Sequence, residues 1–113
     1  GVSSIFMALM ASGLNGQNFA FHGYLPVKKE DKMKKLAQLI SKSSSERQTQ
    51  IVMDAPYRNN TMLDDLLAVL PTSSLLCIAC NITSPDEFIR TLTVQEWRRN
   101  KPDLNKKPTL FLF

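Results

Sequence analysis

The chain has 113 residues, 43% of them hydrophobic and 21% charged, and carries a net charge of +4. That length suits one compact domain and is too short for two, and the balance of residue types excludes wholesale disorder. The longest apolar runs, "DDLLAVLP" and "SSLLCIAC", are too short to cross a bilayer, and no basic residue precedes the opening apolar stretch as a signal peptide requires.

In chain order, Ile5, Phe6, Leu9 and Met10 predict an amphipathic helix over 3–11, with Ser3 or Ser4 as its N-cap and Gly13 beyond its end. "NFAFHGYLP" alternates Phe19 and Phe21 with small or polar residues and reads as a strand broken by Gly23 and Pro26. A lysine-rich helix follows, with Met33, Leu36, Ala37 and Ile40 as its apolar face, Leu39 widening it, and Glu30 and Asp31 in its first turn. Its lysines are expected on the solvent side, and "SKSSSERQ" as a surface loop. "TQIVMDAP" predicts a short buried strand, and Pro56 suits the first turn of the next helix. That helix turns Met62, Leu63, Leu66, Leu67 and Leu70 inward and stops at Pro71. "SSLLCIACNI" is apolar on both faces, as a central strand is, and the short "TSPD" link predicts an antiparallel hairpin with "EFIRTLTV". "VQEWRRN" reads as a short helix and "KPTLFLF" as a last strand. The expected fold is α/β: one layered domain over residues 1–113, with a mixed, about five-stranded sheet flanked by helices.

No residue set is self-sufficient for catalysis, and catalytic residues are not assigned. There is no Gly-rich phosphate loop. Cys77 and Cys80 spell C-x-x-C, but residues three apart in a strand point to opposite faces, and His22 is the only histidine. Two buried structural thiols and no metal site are expected, which suits a reducing compartment. Asp64 and Asp65 are adjacent on a helix and read as solvated charges, and His22 reads as structural. The informative stretches are the loops after the strands, "HGYLP", "MDAPYR" and "CNITSPDE", because α/β sheets gather ligands at the carboxyl ends of their strands.

Taken in order, these stretches resemble the tetrapyrrole methylase family of S-adenosylmethionine-dependent methyltransferases. The likeness is greatest to the branch that 2'-O-methylates bacterial small-subunit ribosomal RNA. "GVSS" looks like the family's P-G-x-S-S turn, and "ALMASGL" like A-L-x-x-S-G-L. "FAFHGYLPVKK" is similar to F-x-F-x-G-F-L-P-x-K, "VMDAPYR" to F-Y-E-S-P-H-R, and "TLTVQEW" falls where the branch has G-T-L-x-E-L. The loop that is A-R-E-L-T-K in the branch is "ACNITS" here, so its Arg, Glu and Lys are replaced by Cys80, Asn81 and Ser84.

The resemblance implies the second domain of a two-domain enzyme, cut at the junction turn, with the N-terminal domain absent from this chain. It implies S-adenosyl-L-methionine bound in the cleft between domains, beside Ser3 and Ser4 of the turn, Asp54 after the second strand, and Asn81, Ile82 and Thr83 of the third loop. Tyr57 and Arg58 stand at substrate positions. Ribosomal RNA is the implied acceptor, with Lys28, Lys29, Lys32, Lys34, Lys35 and Arg58 available to phosphate. A tetrapyrrole or other small acceptor is the second reading, and a non-catalytic binding or dimerisation module the third. The resemblance also implies a homodimer needing no metal, while the short apolar runs and the missing signal peptide lead to the expectation of a cytoplasmic protein with no membrane partner.

Overall fold

The computed structural model describes residues 2–113. Five strands form one mixed sheet in the order β1-β2-β5-β3-β4. They are β1 (Phe19–Tyr24), β2 (Thr49–Met53), β3 (Leu75–Cys80), β4 (Phe88–Thr93) and β5 (Thr109–Leu112). β1 and β2 are parallel, joined through α2 (Lys29–Glu46). β3 and β4 form the expected antiparallel hairpin, Leu75 opposite Thr93 and Cys80 opposite Phe88. β5 enters between β2 and β3, antiparallel to both, and all four of its residues are buried.

The strand alternation divides the core in two. Val52, Leu76, Ile78, Cys80, Phe111 and Phe113 face α2, α3 (Asn59–Val69) and α4 (Val94–Arg99), where Leu36, Leu39, Met62, Leu63, Leu66 and Trp97 meet them. Ile51, Cys77, Ala79, Leu110 and Leu112 face the other way, against Ala8 and Leu9 of α1 (Val2–Ser12). Cys77 and Cys80 therefore do lie on opposite faces. Both are free, and burial pushes both thiols up from their ordinary pKa.

Element ends follow local chemistry. α1 stops before Gly13, whose φ of 72° a side chain disfavours. α3 stops before Leu70, which is extended because Pro71 follows it. A capping box starts α4: Thr93 Oγ1 accepts from Glu96 N–H at 3.2 Å, and Thr93 N–H donates to Glu96 Oε1 at 2.9 Å. Trp97 Nε1–H donates to the Leu76 carbonyl at 2.7 Å, tying α4 to β3.

Four expectations are corrected. Val2, Ser3 and Ser4 are helical, so neither serine is an N-cap and "VSS" is no turn; Gly1, the first residue of that proposed turn, lies outside the described residues. "SKSSSE" continues α2 to Glu46, because Leu39 and Ile40 hold its last turns on the core, and the helix ends only at Arg47, at φ 50°. The buried stripe of α2 is Lys32, Leu36 and Leu39, while Ala37 is exposed, so Lys32 is a core position and is withdrawn from the solvent-facing lysines. Asp65 is also buried, and only Asp64 is a surface charge, paired with Lys101 at 3.0 Å.

Leu36 is fully buried, and Leu36→Ala is expected to destabilise the chain by about 2–5 kcal/mol in chemical denaturation. Thr93→Ala removes the cap of α4, at about 1 kcal/mol. The Thr93 backbone N–H, then its hydroxyl, hold the Glu96 carboxyl below its ordinary pKa. Glu96 therefore contributes stability above the unfolded carboxyl pKa and loses it as pH falls through the lower folded value. NMR titration is expected to show that midpoint rising in Thr93→Ala.

Candidate functional site

β1, β2 and β3 all run in one direction, so their carboxyl ends share one edge of the sheet. At that edge, on the face that α1 covers, lies an open cleft of about 610 Å³. Ser4 and Ile5 of α1, Phe21 and Tyr24 of β1, and Met53, Asp54 and Pro56 line one part of it; Ala79, Ile82, Pro108, Thr109 and Leu110 line the rest. Its walls are apolar and its polar groups few, which is the usual make-up of a small-molecule site.

Asp54 is the one acidic group lining the cleft, and it is almost wholly buried. Its Oδ1 accepts from the Ala55 N–H at 2.8 Å and from Arg58 Nε at 2.9 Å. Its Oδ2 lies 3.7 Å from Nζ of Lys32, which sits 2.9 Å from Asp65 Oδ2. The Asp65 contact is an ion pair off the line of a hydrogen bond. Lys29, on the surface, approaches Asp65 at 3.8 Å. Two carboxylates, the buried Lys32, Arg58 and the surface Lys29 thus meet where β2, α2, α3 and the 3₁₀ turn Pro56–Arg58 converge. Taking such charges out of water is costly, and mutual pairing offsets it. Arg58 has its pKa raised, chiefly by the hydrogen bond to Asp54. Its guanidinium lies 4.7 Å from the ring centre of Tyr57, a cation–π contact, and donates to Tyr57 Oη.

The loop after β3 holds an unusual backbone. Asn81 has φ 52° and Thr83 φ 71°. Asn tolerates this region, but for a β-branched residue it costs on the order of 1–3 kcal/mol. Asn81 N–H donates to the Pro108 carbonyl at 2.9 Å, Asn81 Nδ2 to Asp86 Oδ2 at 2.9 Å, and Thr83 N–H to Glu87 Oε1 at 2.8 Å. These bonds set Ile82 into the cleft and leave Asn81 and Thr83 as its supports.

Of the residues singled out from sequence, Ser4, Asp54 and Ile82 line the cleft. Ser3 is exposed on α1 outside the lining, Asn81 and Thr83 flank Ile82, and Tyr57 and Arg58 flank Asp54. Sequence reasoning missed Phe21 and Met53, which it read only as strand residues, and the Pro108–Leu110 segment, because it predicted the last strand without placing it between β2 and β3. It also missed Lys32 and Asp65. Their signal was present: opposite charges embedded in two apolar helix stripes, Lys32 with Leu36 and Leu39, Asp65 with Met62 and Leu66. Elsewhere His22 Nε2 lies 2.6 Å from Oε1 of the buried Gln50, a bond between neighbouring strands. Among the described residues no group of three or more His, Cys, Asp or Glu is placed to hold a metal, and no helix is long and apolar enough to cross a membrane.

Lys32→Met alone leaves the buried Asp65 carboxylate without its close cation, and a loss of about 3–5 kcal/mol is expected in denaturant unfolding. Lys32→Met with Asp65→Leu removes the buried pair together and is expected to recover most of that stability.

No family model matches the chain. It is similar to Ribosomal RNA small subunit methyltransferase I of Vibrio cholerae, 31% identical over 96 residues, covering 85% of this chain and 32% of that protein. The protein of the same name from Haemophilus influenzae is 29% identical over 109 residues, covering 94% of this chain and 37% of its own. The chain thus spans about a third of the length of the curated relatives it matches. Among solved structures, the methyltransferase CobJ superposes with a TM-score of 0.60 at 15% identity, over 96% of this chain and 46% of that one. Uroporphyrin-III C-methyl transferase from Thermus thermophilus, complexed with S-adenyl homocysteine, gives a TM-score of 0.51 at 18% identity, over 93% of this chain and 48% of that one. The chain is thus related in sequence to the ribosomal RNA small subunit methyltransferase I proteins over about a third of their length, and it resembles about half of each of these solved methyltransferases only as a fold.

Proposed function

We propose that this chain is the second domain of an S-adenosyl-L-methionine-dependent methyltransferase, that it forms one wall of the methyl-donor cleft, and that the acceptor is a ribose 2'-hydroxyl of small-subunit ribosomal RNA. The observation that carries the reading is the convergence of Asp54, Ile82 and Ser4, three residues from separate stretches of the sequence, on one cleft. The relatives' names point to small-subunit ribosomal RNA, the motif resemblance to its ribose 2'-hydroxyl, and the Thermus thermophilus complex to the donor class. An N-terminal domain supplies the other wall in this reading.

The cleft fits that donor. At about 610 Å³ it accommodates an adenosine-sized group, its apolar walls suit a purine, and Asp54 offers an acceptor to N–H or O–H groups. Bound there, the donor would supply a methyl group on a cationic sulfur for displacement by the acceptor oxygen. The protein's part in such a displacement is positioning and exclusion of water. Phe21, Met53 and Ile82 provide the apolar wall for the second task. Asp54 is tied to Lys32 and Arg58, so its role is to orient, and the base for the hydroxyl proton is assigned to the other domain. At the rim, Tyr57 is 65% exposed beside Arg58, a stacking and phosphate-binding pair for an RNA strand. The outer side of α1 carries no charge and exposes Phe6, Met7 and Met10, a contact surface for the first domain or a second copy in a cytoplasmic homodimer.

A tetrapyrrole or other small acceptor is the second reading. It is favoured by the fold match to Uroporphyrin-III C-methyl transferase and by Asn81 and Ser84 standing where the RNA branch carries charge. The test incubates the intact protein with methyl-labelled S-adenosylmethionine and either undermethylated small ribosomal subunits or a tetrapyrrole precursor. Label is expected in the RNA, and falls in Arg58→Ala; label in the tetrapyrrole alone would replace the first reading by the second. With no label in either and no donor binding, the fold serves as a non-catalytic module.

A further inference from the structure

Lys32 reaches beyond the core in which it is buried. A lysine with its side chain 5% exposed is satisfied electrostatically by Asp65, 2.9 Å away on α3. Yet its ammonium also faces Asp54, across the sheet edge at the floor of the cleft. The two oxygens of Asp54 are not equivalent. Oδ1 is occupied by the Ala55 N–H and Arg58 Nε, whereas Oδ2 faces the Lys32 ammonium at 3.7 Å, beyond hydrogen-bond reach. Arg58 and Ala55 pull one oxygen toward the 3₁₀ turn, and Lys32 draws the other electrostatically without capping it. Asp65 holds Lys32 back at that distance, since its own oxygen is the nearer one.

We propose that Lys32, held by Asp65, is a positioning residue for the cleft: it fixes the rotation of the Asp54 carboxylate so that Oδ2 remains free to accept a hydrogen bond from an O–H or N–H group of the bound nucleoside. The inference rests on the reading of the cleft as the methyl-donor site. Neither Lys32 nor Asp65 lines the cleft, so both act only through Asp54. Arg58 and the Ala55 N–H both hold Oδ1, so without Lys32 the carboxylate is tethered by that one oxygen and free to turn about it. Loss of Asp65 has the opposite geometric effect and the same consequence, because the released ammonium closes on Oδ2 and occupies it.

The test uses the intact protein and S-adenosylhomocysteine as probe, titrated by calorimetry, with thermal unfolding of every variant. Lys32→Met/Asp65→Leu is expected to unfold near the wild-type temperature and to bind about tenfold or more weakly, the worth of one hydrogen bond to a charged acceptor. Asp65→Asn, which keeps the shape of the buried site, is expected to weaken binding in the same direction. Wild-type affinity in either folded variant would overturn the positioning role and leave the cleft assignment standing. If the double variant fails to fold, Asp65→Asn decides alone. Failure of the wild-type protein itself to bind the probe would overturn the cleft assignment and this inference with it.

Discussion

The whole architecture depends on one late strand. β2 and β3 do not pair with each other, and only β5 joins the parallel β1–β2 pair to the β3–β4 hairpin. Leu112 pairs with Ile51 on one side and Cys77 on the other, while Phe111 pairs with Val52 and Ile78. β5 also feeds both cores, sending Phe111 to the three-helix face and Leu110 and Leu112 toward α1. Such pairing closes long loops before it is rewarded, so the sheet is complete only when residues 109–112 have inserted.

That same insertion creates the cleft. With β5 antiparallel between them, β2 and β3 end at the same edge but stand one strand apart, and Thr109 and Leu110 become the floor of the gap. The three-helix face is filled by Leu36, Met62, Leu66 and Trp97, whereas the other face has one short helix. α1 covers the middle of the sheet with Ala8 and Leu9 and leaves its strand-end corner open beside Ser4 and Ile5. Uneven coverage of a two-faced sheet is thus what leaves a site.

The charged cluster occupies the boundary between these regions. Lys32, Asp65 and Asp54 are buried on the helix side, and Asp54 alone reaches the cleft. Apolar replacements of similar volume commonly match or exceed the stability of a buried ion pair, so stability by itself is a weak reason to bury Lys32. A geometric reason is stronger: the cluster couples the ends of β2, α2 and α3 to the orientation of one carboxylate.

Much of this was legible in the residues themselves. Hydrophobic periodicity marked the four helices and five strands, because burying one face forces a period near 3.6 or 2 on any chain. The double-sided apolar run at Leu75–Cys80 identified an interior strand, the short link after it identified the hairpin, and the strand-end stretches pointed to Asp54 and Ile82. What the residues left open was everything that depends on partners distant along the chain. The rotation of α2 is one case, since Lys32 and Met33 are equally good candidates for the inner face until Asp65 stands opposite. The helical continuation through Ser43 to Ser45 is another, because tertiary packing outweighs weak local propensity. The place of β5 in the sheet is the largest. A strand's own sequence states that it is buried on both faces, but only the folded chain selects its two neighbours, and that selection positioned Pro108, Thr109 and Leu110 at the site.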